Sequence, residues 1–252
     1  EEDTGKLIHE TVDEQEVTLI DFNRSGVPLV EIVTEPDFDN AKDVRDYLQK
    51  LQQIVRYLGI SNADMEKGDM RLEPNISLSS DGKLPNYKVE VKNINSFRFV
   101  EKAIDYEIKR QTEILERKEA PVQETRGWND VKQKTVSQRT KEEASDYRYF
   151  PEPDIPPLRW TNEILENFRK QIPELPNAIK DRFIKDYGIS EYDAEIITRE
   201  KESADFFEET VRIGEKENIK PKTIANYIIN KKINAKEALP ADLIKTIISS
   251  ST

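Results

Sequence analysis

The chain has 252 residues, 36% hydrophobic and 8% aromatic, enough for one large or two ordinary domains with a proper core. It lacks cysteine, which excludes disulfides, thiolate nucleophiles and cysteine metal sites. Its net charge of -11 at pH 7 repels nucleic acid except where positive charge is gathered locally. It shows neither an apolar run of membrane-spanning length nor a signal peptide, so it reads as cytosolic or organelle-matrix, without a membrane partner. The charged, methionine-free start "EEDTGKLIHE" reads as that of a fragment of a longer protein.

Taken in chain order, the first 16 residues hold seven acids against Lys6. "VTLIDFNR" and "PLVEIVTE" are short, β-branched and alternating, which predicts strands. A helix is expected over 41–58, capped by Asn40 and stopped by Gly59, with Val44, Tyr47, Leu48, Leu51, Val55 and Leu58 on one stripe. "MRLEPNISLS" and "NYKVEVKN" again read as strands. After Ser96 a second helix places Val100, Ala103, Ile104, Ile108 and Leu115 on one core-facing stripe. The connections are too irregular for repeated βαβ units, so the expected class is α+β: a largely antiparallel sheet cradle with helices, followed by an all-helical domain.

"DYRYFPEPD", residues 146–154, is a rigid extended connector, because Pro151 and Pro153 forbid regular structure. Strand signals vanish after "PEPDIPPL", which puts a boundary near residue 157. Residues 161–250 read as short helices broken at Pro173, Pro176, Gly188, Gly214, Pro221 and Pro240. Within them, residues 216–236 hold six lysines against one acid. That run is either a solvated helix face or the place for an RNA contact.

Strand alternation puts Arg71, Glu73, Asn75 and Ser77 on one face and Leu72, Ile76 and Leu78 on the other. Lys88, Glu90 and Lys92 likewise oppose Val89 and Val91, and Glu31 opposes Val30 and Ile32, which are expected to face a core. Such a face is either an ordinary water-facing surface or an ion and phosphate site, since magnesium takes carboxylate oxygens and phosphate takes Arg, Lys and amide donors. One histidine without cysteine does not make a usual zinc site. Neither a P-loop nor a dinucleotide fingerprint is present, and no Ser-His-Asp triad suggests itself around His9.

The motifs "EEDTGKLIH", "DFNRSGVPLVEIVTEPD", "KVEVKNINSFRFVEKAIDYEIKRQ", "QETRGWN" and "DYRYFPEPDIPPL" closely resemble the B-subunit family of aspartyl/glutamyl-tRNA amidotransferases over essentially the whole chain. The resemblance implies a heterotrimer with a glutaminase A subunit and a small C subunit. It implies ATP- and magnesium-dependent phosphorylation of the side-chain carboxylate of Glu-tRNA(Gln) or Asp-tRNA(Asn), then amidation with glutamine-derived ammonia. It also implies a catalytic cradle over residues 1–157, a helical domain over 158–235, and the start of a tRNA-binding tail domain at 236–252. Glu2, with Glu1 as the less favoured alternative, and Glu31 are the implied metal ligands, which the family would supplement with a Glu and a His from a preceding strand. Arg24, Lys6, Lys88 and Lys92 are the implied phosphate or acceptor-carboxylate groups, with Glu73, Asn75 and Glu90 lining the pocket. Arg148, Tyr147, Tyr149 and Phe150 are expected at its rim. Where the family pattern runs "RCDANIS", this chain has "RLEPNIS": Glu73 keeps the acid and Pro74 removes a strand hydrogen bond.

Overall fold

The computed structural model describes residues 2–3, 5–12, 15–140 and 156–250, and it is an α+β protein. Two compact units divide the chain between Asp39 and Asn40. In the first, β1 (Lys6–Val12) and β2 (Gln15–Asp21) form an antiparallel pair with Lys6 opposite Asp21. "PLVEIVTE" does not form the expected strand; only Pro28 makes a bridge, to Glu2. An alternating pattern prepares a segment for a sheet, but a strand exists only where its N–H and C=O groups meet a partner. Val30 and Ile32, expected to face a core, are 83% and 52% exposed. Among the described residues, no apolar side chain of this unit is buried.

The second unit opens with α1 (Ala41–Tyr57), whose first turn is closed by Asn40 Oδ1 accepting from the Asp43 N–H at 2.9 Å. Four strands follow in the sheet order β3 (Asn75–Ile76), β4 (Val89–Lys92), β5 (Glu124–Asn129), β6 (Lys134–Thr140). Pairings are antiparallel except β4 with β5, which are parallel because α2 (Phe97–Glu116) crosses over between them. β3 is only two residues long; Pro74 has no N–H to extend it, although its carbonyl accepts from Val91 N at 2.9 Å. Val100, Ala103 and Ile104 of α2 pack with Ile76, Val89, Val91 and Trp128 into one core. The helix stripe differs from expectation towards its C-terminal end: Glu107 and Gln111 are fully buried, whereas Leu115 is 39% exposed.

After β6 the described residues form only helices: α3 (Asn162–Gln171), α4 (Pro176–Tyr187), α5 (Glu191–Ile197), α6 (Lys201–Gly214), α7 (Pro221–Asn230) and α8 (Pro240–Ser250), with a 3-10 turn at Glu215–Glu217. Pro176, Pro221 and Pro240 start helices, because the first turn leaves its N–H groups unpaired anyway. Gly214 is a close-approach position, since a Cβ there would come within 3.0 Å of Ile224 and Ile244. Phe183, Phe207, Ile224 and Ile244 belong to a second core, which Tyr57 of α1 enters. Gln53 Nε2 and Tyr57 OH both donate to the Thr198 carbonyl, at 2.7 and 2.6 Å, and burial pushes the Tyr57 phenol pKa up. α1 therefore joins the sheet core at its start to the helical core at its end. Residues 146–154, with Tyr147, Arg148, Tyr149 and Phe150, lie outside the described residues. No described helix is long and apolar enough to cross a membrane.

Candidate functional site

In the first unit, residues 2–3 run alongside 26–28: Asp3 N donates to Val27 O at 2.8 Å and Gly26 N to Asp3 O at 3.0 Å. A turn from Phe22 makes this possible, with Gly26 at φ +81°. Arg24 Nε reaches back to Asp3 at 3.2 Å. Glu2 is fixed by its bridge to Pro28, and Glu31 follows on the same segment with an exposed side chain. Glu2, Lys6 and Glu31 take part in no ion pair among the described residues. His9 meets Thr18 across the hairpin, with 2.9 Å between Nδ1 and Oγ1.

In the second unit the sheet has a polar side opposite its core. Val89 and Val91 turn into the core, so Glu90 and Lys92 point away from it. Asn75 is in register with Glu90, and Lys88 is exposed just before β4. Lys92 Nζ stands 3.4 Å from Glu73 and 3.7 Å from Glu90. From β5, Thr125 Oγ1 donates to Glu90 at 2.9 Å. Thus Glu73, Glu90 and Lys92 converge as expected. Thr125, which reading the sequence missed, fixes the middle of the cluster. Two carboxylates surround one ammonium, so the triplet carries net negative charge.

The other side of the same strands holds a network that was also missed. Glu107 of α2 accepts from Arg110 Nε and Nη2 (3.0 and 2.7 Å), from Gln111 Nε2 (3.0 Å) and from Thr135 Oγ1. Arg126 Nε lies 3.1 Å from Glu107, and its guanidinium also pairs with Glu124 and donates to the Thr135 carbonyl. Burial raises the Glu107 pKa, but hydrogen bonds from Arg110, Thr135 and Gln111 outweigh it and hold the carboxyl below the usual glutamate range. Burial likewise lowers Arg110, and its bond to Glu107 reverses the direction. The available signal was the helical spacing itself, because Glu107 and Gln111 continue the Val100–Ala103–Ile104 stripe.

A magnesium ion takes about six oxygen ligands. Among the described residues, no group of three His, Asp or Glu side chains could hold a metal ion. Glu2 and Glu31, the expected metal ligands, belong to no such group among the described residues.

The GatB/GatE catalytic domain model matches residues 1–166. The chain belongs to this family. It is 50% identical over 233 residues to the B subunit of the aspartyl/glutamyl-tRNA(Asn/Gln) amidotransferase of Thermotoga maritima, covering 91% of this chain and 47% of the relative. The Persephonella marina protein of the same name is 52% identical over 231 residues, 91% and 47% of the two chains. That of Pseudothermotoga lettingae is 48% identical over 247 residues, 97% and 51%. The chain therefore spans about half the length of the curated relatives it matches.

Proposed function

We propose that the protein acts as the B subunit of a tRNA-dependent amidotransferase, in a heterotrimer with a glutaminase A subunit and a small C subunit. The observation that carries this is the near-50% identity, over nine-tenths of the chain, to proteins bearing that name. Its substrates are Glu-tRNA(Gln) or Asp-tRNA(Asn), ATP with magnesium, and ammonia released from glutamine. A carboxylate is a poor electrophile. Its oxygen takes the γ-phosphoryl group of ATP, releasing ADP. Ammonia then attacks the acyl carbon, phosphate leaves, and a proton is lost from nitrogen.

We assign Glu2 and Glu31 to magnesium, Lys6, Glu73 and Asn75 to the nucleotide, and Arg24, Lys88, Glu90 and Lys92 to the reacting groups. The catalytic part is placed in residues 1–157, consistent with the absence of described strands after Thr140. The lysines from Lys216 to Lys236 are exposed, and among them an ion pair links Lys236 to Glu202 at 3.5 Å. They suit contacts to the tRNA backbone, which are electrostatic and insensitive to sequence.

The test is phosphate release and amide formation by the reconstituted full-length trimer, with and without misacylated tRNA. Both should require ATP and rise with the misacylated substrate; amide formation without ATP would refute the reading. Glu31→Gln keeps shape and removes charge. It should leave tRNA binding intact and lower ATP-dependent amide formation by about 10²-fold, the scale for one preorganised electrostatic group. A near wild-type rate with unchanged magnesium dependence would make Glu31 structural.

A further inference from the structure

A buried hydroxyl sits under the Glu73–Lys92–Glu90 cluster. Thr125 of β5 is 7% exposed and lies in register with Glu90 of β4, so both side chains leave the sheet on the same side. Its Oγ1 donates to Glu90 Oε2 at 2.9 Å, while Lys92 Nζ faces the other oxygen, Oε1, at 3.7 Å. Lys92 comes no closer to Glu73 than 3.4 Å. A hydrogen bond from an ammonium to a carboxylate ordinarily closes to about 2.8 Å, so Lys92 is held open between two acids. The shortest of these contacts comes from the neutral hydroxyl. Its strand is fixed on both sides. Arg126, the next residue, turns to the opposite side of the sheet and is held there by Glu107, Glu124 and the Thr135 carbonyl. Pairing with β6 shifts between Thr125 and Arg126, which leaves Gln138 as the extra residue, and such a bulge re-aims the side chains beside it.

We propose that Thr125 is a positioning residue for amide formation: its hydroxyl holds Glu90 off Lys92 and so keeps the ammonium available to the reacting oxygens. The proposal rests on the functional reading above and deepens it, because it adds a residue that touches no substrate and acts through Glu90. Without the hydroxyl, Glu90 Oε2 loses a donor where its side chain is only 18% exposed, and Lys92 is the cation beside it. A carboxylate deprived of one donor closes on a neighbouring ammonium. The closed pair engages the charge of Lys92 with a fixed carboxylate, and an oxygen that gains negative charge during the reaction loses it. Such stabilisation depends on groups already aimed where charge develops, not on groups that must first be released from a partner.

Thr125→Val keeps the branched shape and removes only the hydroxyl, whereas Thr125→Ser keeps the hydroxyl. In a crystal structure of full-length Thr125→Val, the Lys92–Glu90 separation should contract by roughly 1 Å, to ordinary ion-pair length. In the reconstituted trimer, its kcat for ATP-dependent amide formation should fall by about 10- to 100-fold, the scale of a 1 Å misplacement in a reaction centre. KM for ATP and the melting temperature should stay near wild type, and Thr125→Ser should recover most of the rate. Because the hydroxyl acts through Glu90, adding Thr125→Val to Glu90→Ala should lower the rate no further than Glu90→Ala alone. Additive losses in that double variant, or a wild-type kcat in folded Thr125→Val, overturn the proposal. Equal losses in the serine and valine variants overturn it as well. Amide formation by the wild type without ATP defeats the functional reading, whereas an unaltered Lys92–Glu90 separation in Thr125→Val defeats the positioning role alone.

Discussion

On the α2 side of the four-stranded sheet, Glu107 is fully buried and its oxygens are taken by Arg110, Gln111, Thr135 and Arg126. On the opposite side, Glu73 and Lys92 are 41% and 39% exposed, and the Asn93 and Gln138 amides have no bond among the described residues. Both sides are polar and share the strands β4, β5 and β6. A buried charge is tolerated only when compensated, so the closed side has the character of a structural device. An exposed group loses little by waiting for a ligand, so the open side is where chemistry can be added without unfolding the sheet.

The largest expected effect breaks the closed side. Glu107→Ala removes the carboxylate that Arg110 and Arg126 share, leaving Glu124 to compensate both guanidinium groups. Chemical denaturation should show a loss of about 3 kcal/mol, the low end for one partner removed from a buried pair. A loss under about 1 kcal/mol would mean that the network relaxes to water, and the contrast between the two sides would fail.

The same network predicts a pH dependence. The Glu107 carboxyl is held below its ordinary range in the folded protein, so it binds fewer protons than in the unfolded chain. Its contribution is complete above the unfolded pKa and is lost as pH falls through the folded one. Denaturation midpoints of the wild type should therefore fall on acidification more steeply than those of Glu107→Gln. Parallel curves for the two proteins would remove Glu107 as a source of acid sensitivity.

What could be read from the sequence follows the range of the interactions. Asn40 and Ser96 cap their helices through bonds to residues three positions on, and the apolar stripe from Val100 to Ile104 is likewise local. The facing of Glu90 and Lys92 away from Val89 and Val91 follows from alternation within one strand. Glu107 was not legible, because the groups that compensate its burial come from α2, β5 and β6 together. The Gln138 bulge was hidden for the same reason, since an extra residue exists only relative to the partner strand. "PLVEIVTE" shows the converse error. Its period is that of a strand, yet among the described residues only Pro28 finds a bridging partner, so Val30 and Ile32 stay exposed.

The smallest expected effect on stability comes from the open side. Lys92 links Glu73 and Glu90 in pairs of 3.4 and 3.7 Å, but two of the three side chains are about two-fifths exposed. Exposed ion pairs contribute from nothing to about 1 kcal/mol. Lys92→Met keeps the length of the side chain and removes its charge. It takes away two weak attractions, while the Thr125 bond still fixes Glu90. Its denaturation midpoint should therefore stay within about 0.5 kcal/mol of wild type. Amide formation by the full-length trimer should fall by about 10²-fold, as for a lost electrostatic group in a reaction centre. A protein destabilised as much as Glu107→Ala, with catalysis per folded molecule unchanged, would show that Lys92 belongs to the scaffold and that both sides of the sheet are built for stability.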